Sequence, residues 1–106
     1  MGPGESALTE AAYYILLSLY TPLHGYGIMQ NVADISHGRV DLGAGTLYGA
    51  LGTLVKKGWI VETDQHDRKR EYLITAKGRA VVDAEILRLE ELVENGHRVV
   101  KGSLDG

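Results

Sequence analysis

The sequence predicts a mainly α fold with one small β-hairpin, an α+β arrangement. Three observations carry this expectation. Leu47, Ala50, Leu51 and Leu54 recur at i, i+3, i+4 and i+7, the spacing of one helix face. Directly after them, Trp59–Thr63 and Glu71–Thr75 read as two short strands around the polar run 64–70. From Ala76 onward a long helical pattern carries two apolar stripes. Helix, hairpin with a basic tip and closing helix have the layout of a winged helix-turn-helix followed by a C-terminal dimerisation helix. The expected division is a winged unit over residues 1–75 and a helix with a short tail over 76–106.

The opening helix is expected over Leu8–Tyr20, with Ser6 or Thr9 as its cap and Glu10 in its first turn. Leu8, Ala12, Ile15, Leu16 and Leu19 form one apolar stripe, and Tyr13, Leu17 and Tyr20 form a second. A helix apolar on both sides is buried on both sides, so the second stripe is assigned to a subunit contact. Thr21-Pro22-Leu23-His24-Gly25 breaks the helix. A second helix is expected over Tyr26–Ile35, with Ile28, Met29, Val32 and Ile35 inward, closed by Ser36-His37-Gly38. Arg39-Val40-Asp41 is expected as a short strand against the hairpin, and Asp41 or a backbone group as the next cap.

The third helix spans residues 43–57. At about 100° per residue, Gly45, Gly49, Gly52, Thr53 and Lys56 fall opposite its apolar stripe. An interior Gly costs a helix roughly 1 kcal/mol relative to Ala, so three on one face need a reason. A face without side chains lets another backbone come very close. Lys56-Lys57-Gly58 supply a cationic last turn and a C-cap. The fourth helix is expected over Ala76–Asn95, with Asn95-Gly96 as its stop and a weakly ordered tail beyond. Val82, Ile86, Leu89 and Val93 form one stripe; Ala80, Ala84 and Leu87 form the other. The sequence leaves open which stripe meets the domain and which a partner.

The 106 residues carry a net charge of −3, but unevenly. Residues 1–35 hold three acids and no Lys or Arg; residues 36–80 are net +3; residues 81–106 are net −3. Positive charge therefore concentrates on the third helix and wing, where phosphate binding needs it. With no Cys, disulfides, thiolate catalysis and Cys-based zinc sites are excluded. The four histidines, His24, His37, His66 and His97, lack metal-ligand spacing. The glycines of the third helix lack the Lys-Ser/Thr of a phosphate loop. No constellation supports an enzyme, and no cofactor is expected. Ala11–Ala33 contains no Asp, Glu, Lys or Arg, but Pro22, His24, Gln30 and Asn31 interrupt it, and its apolar run is too short to cross a bilayer. The start has no signal-like segment, so a cytoplasmic location is expected.

Leu8-Thr9-Glu10-Ala11-Ala12-Tyr13-Tyr14-Ile15-Leu16, His24-Gly25-Tyr26-Gly27-Ile28, Gly45-Thr46-Leu47-Tyr48-Gly49-Ala50-Leu51 and Lys57-Gly58-Trp59-Ile60 stand in an order and spacing that resemble the PadR family of bacterial transcriptional regulators. Ile74-Thr75 followed by Gly78 matches that family's strand-to-helix junction. The resemblance covers about Leu8 to Asn95 and implies a homodimeric winged-helix repressor of the short subfamily, reading duplex DNA at an inverted repeat. Some short relatives hold flat aromatic drugs between tryptophans at the dimer centre; here the sole Trp is Trp59 and the last helix has no aromatic residue. Whether a small-molecule effector exists is left open by the sequence. The residues assigned to DNA are Thr46, Tyr48, Gly49, Gly52, Thr53, Lys56, Lys57, Arg68, Lys69 and Arg70. Those assigned to the dimer contact are Tyr13, Leu17, Tyr20, Val82, Ile86, Leu89 and Val93. The groove face lacks Arg, Asn and Gln, the usual bidentate base readers, so readout is expected to lean on Thr46, Thr53, Lys56 and DNA shape. The alternative is a winged-helix module for protein assembly without DNA; the basic wing argues against it.

Overall fold

Thr9 opens the first helix, α1 (Glu10–Ser18): it is extended, and its hydroxyl accepts the Ala12 N–H at 3.1 Å. The structure is a computed structural model and describes residues 7–63 and 70–105. The helix is shorter than expected because Leu19 and Tyr20 turn back with N–H bonds to Leu16 and Leu17. Such i−3 bonds tighten a final turn, and Pro22 then has no N–H with which to continue.

The short third strand is not where the sequence placed it. It is β1 (Leu23–His24), just after Pro22. The Arg39–Asp41 segment is held elsewhere: the Val40 N–H donates to the Ser36 hydroxyl at 3.0 Å, and the Arg39 guanidinium reaches back to Glu10. Helix α2 (Gly25–Ile35) ends where His37 and Gly38 take φ of 54° and 78°, and the Gly38 N–H closes onto Ala33 at 2.7 Å. Ile28 and Val32 are buried, whereas Ile35, expected inward, lies on the exposed side.

Helix α3 (Ala44–Lys56) starts at Gly43, and no side chain among the described residues, Asp41 included, caps it. It ends at Gly58 with φ of 78°. The Gly58 N–H bonds Val55 and the Trp59 N–H reaches Leu54, satisfying carbonyls that the last turn leaves open. Strands β2 (Ile60–Thr63) and β3 (Glu71–Ile74) pair antiparallel, with Ile60 opposite Ile74 and Thr63 opposite Glu71. The order is β1-β3-β2, Leu23 standing opposite Tyr72.

One buried cluster joins these elements: Ile15, Leu16 and Leu19 of α1, Ile28 and Val32 of α2, Leu47, Leu51 and Leu54 of α3, and Ile60, Tyr72 and Ile74 of the hairpin. Val82, from the final helix, completes it. Each buried Leu or Ile contributes roughly 1.5–3 kcal/mol, enough for a small set to hold three helices on a narrow sheet. A polar tie accompanies them: Asn31 donates to the Ser18 hydroxyl at 2.9 Å, which donates to the Tyr14 carbonyl.

Thr75 leads into α4 (Ala76–Asp105). Its hydroxyl accepts the Gly78 N–H at 3.0 Å and donates to the Gly58 carbonyl at 2.7 Å, so one side chain caps α4 and fastens it to the end of α3. A Cβ on Gly78 would strike the Trp59 carbonyl oxygen; only glycine lets α4 sit this close. The helix does not stop at Asn95-Gly96 but runs on to Asp105. Asn95 accepts a bond from Arg98 one turn ahead rather than capping, and a single interior Gly costs only about 1 kcal/mol. Thirty residues make a rod of about 45 Å in a molecule whose longest dimension is 62 Å. Its second half therefore projects from the domain.

Candidate nucleic-acid interface

The outward face of α3 is bare and open. Thr46, Gly49, Gly52, Thr53 and Lys56 are all exposed, and a Cβ built at Gly45, Gly49 or Gly52 would meet nothing within 4 Å. Among the described residues, no contact accounts for these glycines. The Thr53 hydroxyl donates to the Gly49 carbonyl at 3.3 Å, folding back along the helix and keeping the face shallow. At the start of the helix, the first-turn amides sit beside Gly43 without a side-chain cap, leaving the positive end of the helix dipole open.

Tyr48 lies at the edge of this face, 53% exposed. Its hydroxyl end rests over Gly25 at the start of α2, in the space that a Cβ there would fill. The aromatic stem is thus seated between α3 and α2.

The cations divide by partner. Lys57 places its ammonium 4.7 Å from the Trp59 ring centroid. Arg70 stands 3.6 Å from Glu62 across the hairpin, both well exposed. Arg68 and Lys69, the rest of the expected basic tip, lie outside the described residues. Arg39 pairs with Glu10 rather than with the nearby Asp41, through two bonds of 2.6 and 3.0 Å. The Arg39 guanidinium holds the Glu10 carboxyl below the usual range. This fork ties the α2–α3 turn to the start of α1.

The apolar residues assigned to a dimer contact are split. Val82 is corrected to the monomer core, 1% exposed: it faces α1 and β3 before α4 leaves the domain. Leu17 and Tyr20 are half-buried against that core, and the Arg79 guanidinium covers one face of Tyr20 at 4.4 Å. Tyr13, Ile86, Leu89 and Val93 line one groove, about 480 Å³ in volume, with Glu90, Glu94 and His97 at its side. Burial pushes the Tyr13 phenol up, so it stays neutral there. Further along, Leu92, Val99 and Val100 are exposed on the projecting rod. Val99 and Val100 escape the sequence reading because Asn95-Gly96 has the form of a helix stop; Leu92, within the expected helix, lies off both stripes named for it. A signal for them is nonetheless present: Val82, Glu85, Leu89, Leu92, Gly96 and Val99 alternate by three and four, a heptad seam that runs through the glycine.

Among the described residues no group of three His, Asp or Glu is placed to hold a metal ion. None of the described helices is long and apolar enough to cross a membrane.

Comparison with known proteins places this arrangement. The chain is 38% identical over 64 residues to an uncharacterized 37.1 kDa protein in transposon TN4556 of Streptomyces fradiae; the match takes in 60% of the chain and 18% of that relative, so it spans under a fifth of the relative's length. RosR of H. salinarum is similar in structure at 28% identity, with a TM-score of 0.65 and 92% of each chain covered. A PadR family transcriptional regulator from Eggerthella lenta superposes with a TM-score of 0.70 over 84% of this chain and 80% of that one; at 21% identity this likeness shows the fold. Residues 15–84, from the core of α1 to the first turns of α4, match the model of the transcriptional regulator PadR-like family, and the chain belongs to that family.

Proposed function

We propose that this transcriptional regulator binds duplex DNA as a homodimer, laying the bare face of α3 into the major groove and flanking it with the wing, and that it represses by occupying its operator. The observation that carries the reading is the open space over Gly45, Gly49 and Gly52. Alanine at each would stabilise an isolated helix by roughly 1 kcal/mol, and nothing among the described residues forbids it. The reason for the glycines then lies outside the chain, in a surface that approaches the α3 backbone closely. Lys56 and the open N-terminus of α3 supply positive charge at that face, and the basic run Arg68-Lys69-Arg70 follows β2 in the sequence, which suits phosphates on either side of a groove. Thr46 and Thr53 offer small hydroxyls to base edges. Tyr48 is assigned a phosphate contact through its hydroxyl, which rests at the α2–α3 edge over Gly25.

The projecting half of α4 supports the dimer. Leu89, Leu92, Val93, Val99 and Val100 expose apolar surface on one side of a rod, and large apolar strips left in water favour association. Gly96 in the middle lets two such rods approach. Two copies joined there carry two α3 helices, which fits an inverted repeat.

The test is selection from a random duplex library, then fluorescence anisotropy on the recovered sequences at several salt concentrations. A palindromic consensus bound by two chains, with affinity falling steeply as salt rises, is the expected outcome. No enrichment at low salt would leave the chain an assembly module.

A further inference from the structure

Glu85 is a carboxylate in an unexpected place. It sits on α4 where the helix leaves the domain: Val82, one turn before, is in the core, and Ile86 and Leu89, just after, are exposed. Its side chain is only 7% exposed. Both carboxylate oxygens are engaged. Arg88 donates from Nε to Oε1 at 2.8 Å and from Nη2 to Oε2 at 2.6 Å, and Oε2 also accepts the Leu8 N–H at 3.3 Å. Leu8 lies 77 residues away in sequence, in the segment that leads into α1. The cover is a guanidinium and a backbone rather than deep core.

A covered ion pair is a poor means of adding stability: replacing such a pair by apolar residues of similar size is often neutral or stabilising. Position 85 also falls on the heptad seam, where an apolar residue would be the simpler choice. The fork lies within α4 and holds the Glu85 side chain in one orientation; the bond that crosses to the domain is the one from the Leu8 N–H, directional where apolar packing is not. What this cluster supplies is direction. Beyond it α4 extends for about 30 Å, so a change of about 10° at the exit displaces the far end by about 5 Å.

We propose that Glu85 is a positioning residue: held in one orientation by Arg88 on its own helix, it fixes, through its bond to the Leu8 backbone, the angle at which α4 leaves the α3-bearing domain, and so sets the spacing between half-sites that the dimer accepts. This rests on the reading of the chain as a dimer that binds DNA through α3 and joins through the projecting part of α4. Two dimer arms held at a fixed angle discriminate spacing; arms free to swing do not.

The test uses the full chain and a palindromic duplex selected by the wild type, with zero to six base pairs inserted or removed at the centre. Two variants are compared, Glu85→Leu, which offers the Leu8 N–H no acceptor, and Arg88→Lys. The second keeps opposite charges in contact but loses the fork, so that a well-folded form is available. Circular dichroism and sedimentation establish fold and dimer; binding to a single half-site duplex establishes that α3 is intact. Wild type should lose at least about tenfold in affinity for each wrong spacing. The variants should bind single half-sites as wild type does, yet discriminate spacing by less than about threefold. Folded, dimeric variants with the wild-type spacing profile overturn the proposal and leave the DNA reading standing. A wild type that binds no duplex at any spacing, or is monomeric, overturns both.

Discussion

The hydroxyl end of Tyr48 occupies the space beside Gly25 in which a Cβ would stand. The contact joins the outer edge of α3 to the first turn of α2, so the two helices are held in register by a ring and a missing side chain. Gly25→Ala should therefore give opposite results in two backgrounds. With Tyr48 present, the added methyl forces the ring aside and should cost about 1 kcal/mol or more. With Tyr48→Ala, the same change gains helix propensity and should stabilise by up to about 1 kcal/mol. Urea denaturation of the four proteins of this cycle measures the coupling. Equal effects in both backgrounds would mean that Tyr48 does not rest there in solution.

Gly49→Gln and Gly52→Gln should separate folding from binding. Both sites are open to solvent, so each substitution should leave thermal stability unchanged or raise it. Each long side chain would stand between α3 and the groove, and operator affinity should fall at least about tenfold. Anisotropy titrations with unchanged affinity for both variants would remove the explanation given for the bare face.

The lysines at the end of α3 should behave differently. Lys56→Ala should lower the slope of log affinity against log salt by about 1, the loss of one phosphate contact. Lys57→Ala should shift the emission of Trp59, the sole tryptophan, because its ammonium lies over that ring. Emission that is unmoved by Lys57→Ala would place the ammonium elsewhere in solution.

Val82 and Leu92 lie on one helix but should report on different things. Val82→Ala leaves a hole in the core and should destabilise by about 1.5–3 kcal/mol without altering the association constant when corrected for folding. Leu92→Glu places a charge on the exposed rod and should shift sedimentation from dimer to monomer, with little change in the unfolding of the domain itself. A dimer that persists in Leu92→Glu at micromolar concentration would put the contact at Tyr13 and Ile86 instead.

The Glu85 carboxyl is held below the usual glutamate range, chiefly by the hydrogen bonds from Arg88, against the opposing effect of burial. A carboxyl whose folded value is depressed stabilises the fold above its unfolded value, about 4.3, and loses that contribution as pH falls through the lower folded value. Wild type should therefore lose its advantage over Glu85→Gln progressively as pH falls below about 5. Urea titrations at about pH 7, 5, 4 and 3 follow the convergence; a constant difference across this range would show that the charge on Glu85 contributes nothing to folding.

Much of this protein was determined by local chemistry that a sequence carries whole. Leu47, Leu51 and Leu54 are spaced for one helix face and are buried; Gly58 stands where α3 must end and takes a left-handed backbone; Thr9 caps α1 with its own hydroxyl. Periodicity, capping and turn geometry involve residues a few positions apart, so their partners are visible in the chain. The bareness of α3 was legible for the same reason. Other features were decided only when distant segments met. Arg39 found Glu10 rather than Asp41 because the end of α2 folds back on the start of α1. Leu23–His24 became the third strand because β3 offers its free edge there, while Ser36 held the segment at Arg39–Asp41 away. Asn95-Gly96 has the form of a helix end, yet a turn signal ends a helix only when the chain has somewhere else to go, and α4 has more rod ahead of it. Val82 and Ile86 read as one stripe, but the domain covers the first and releases the second. Which atoms are covered depends on where the helix leaves the core, and that point is set by Thr75, Gly78 and Glu85 touching residues up to 77 positions away.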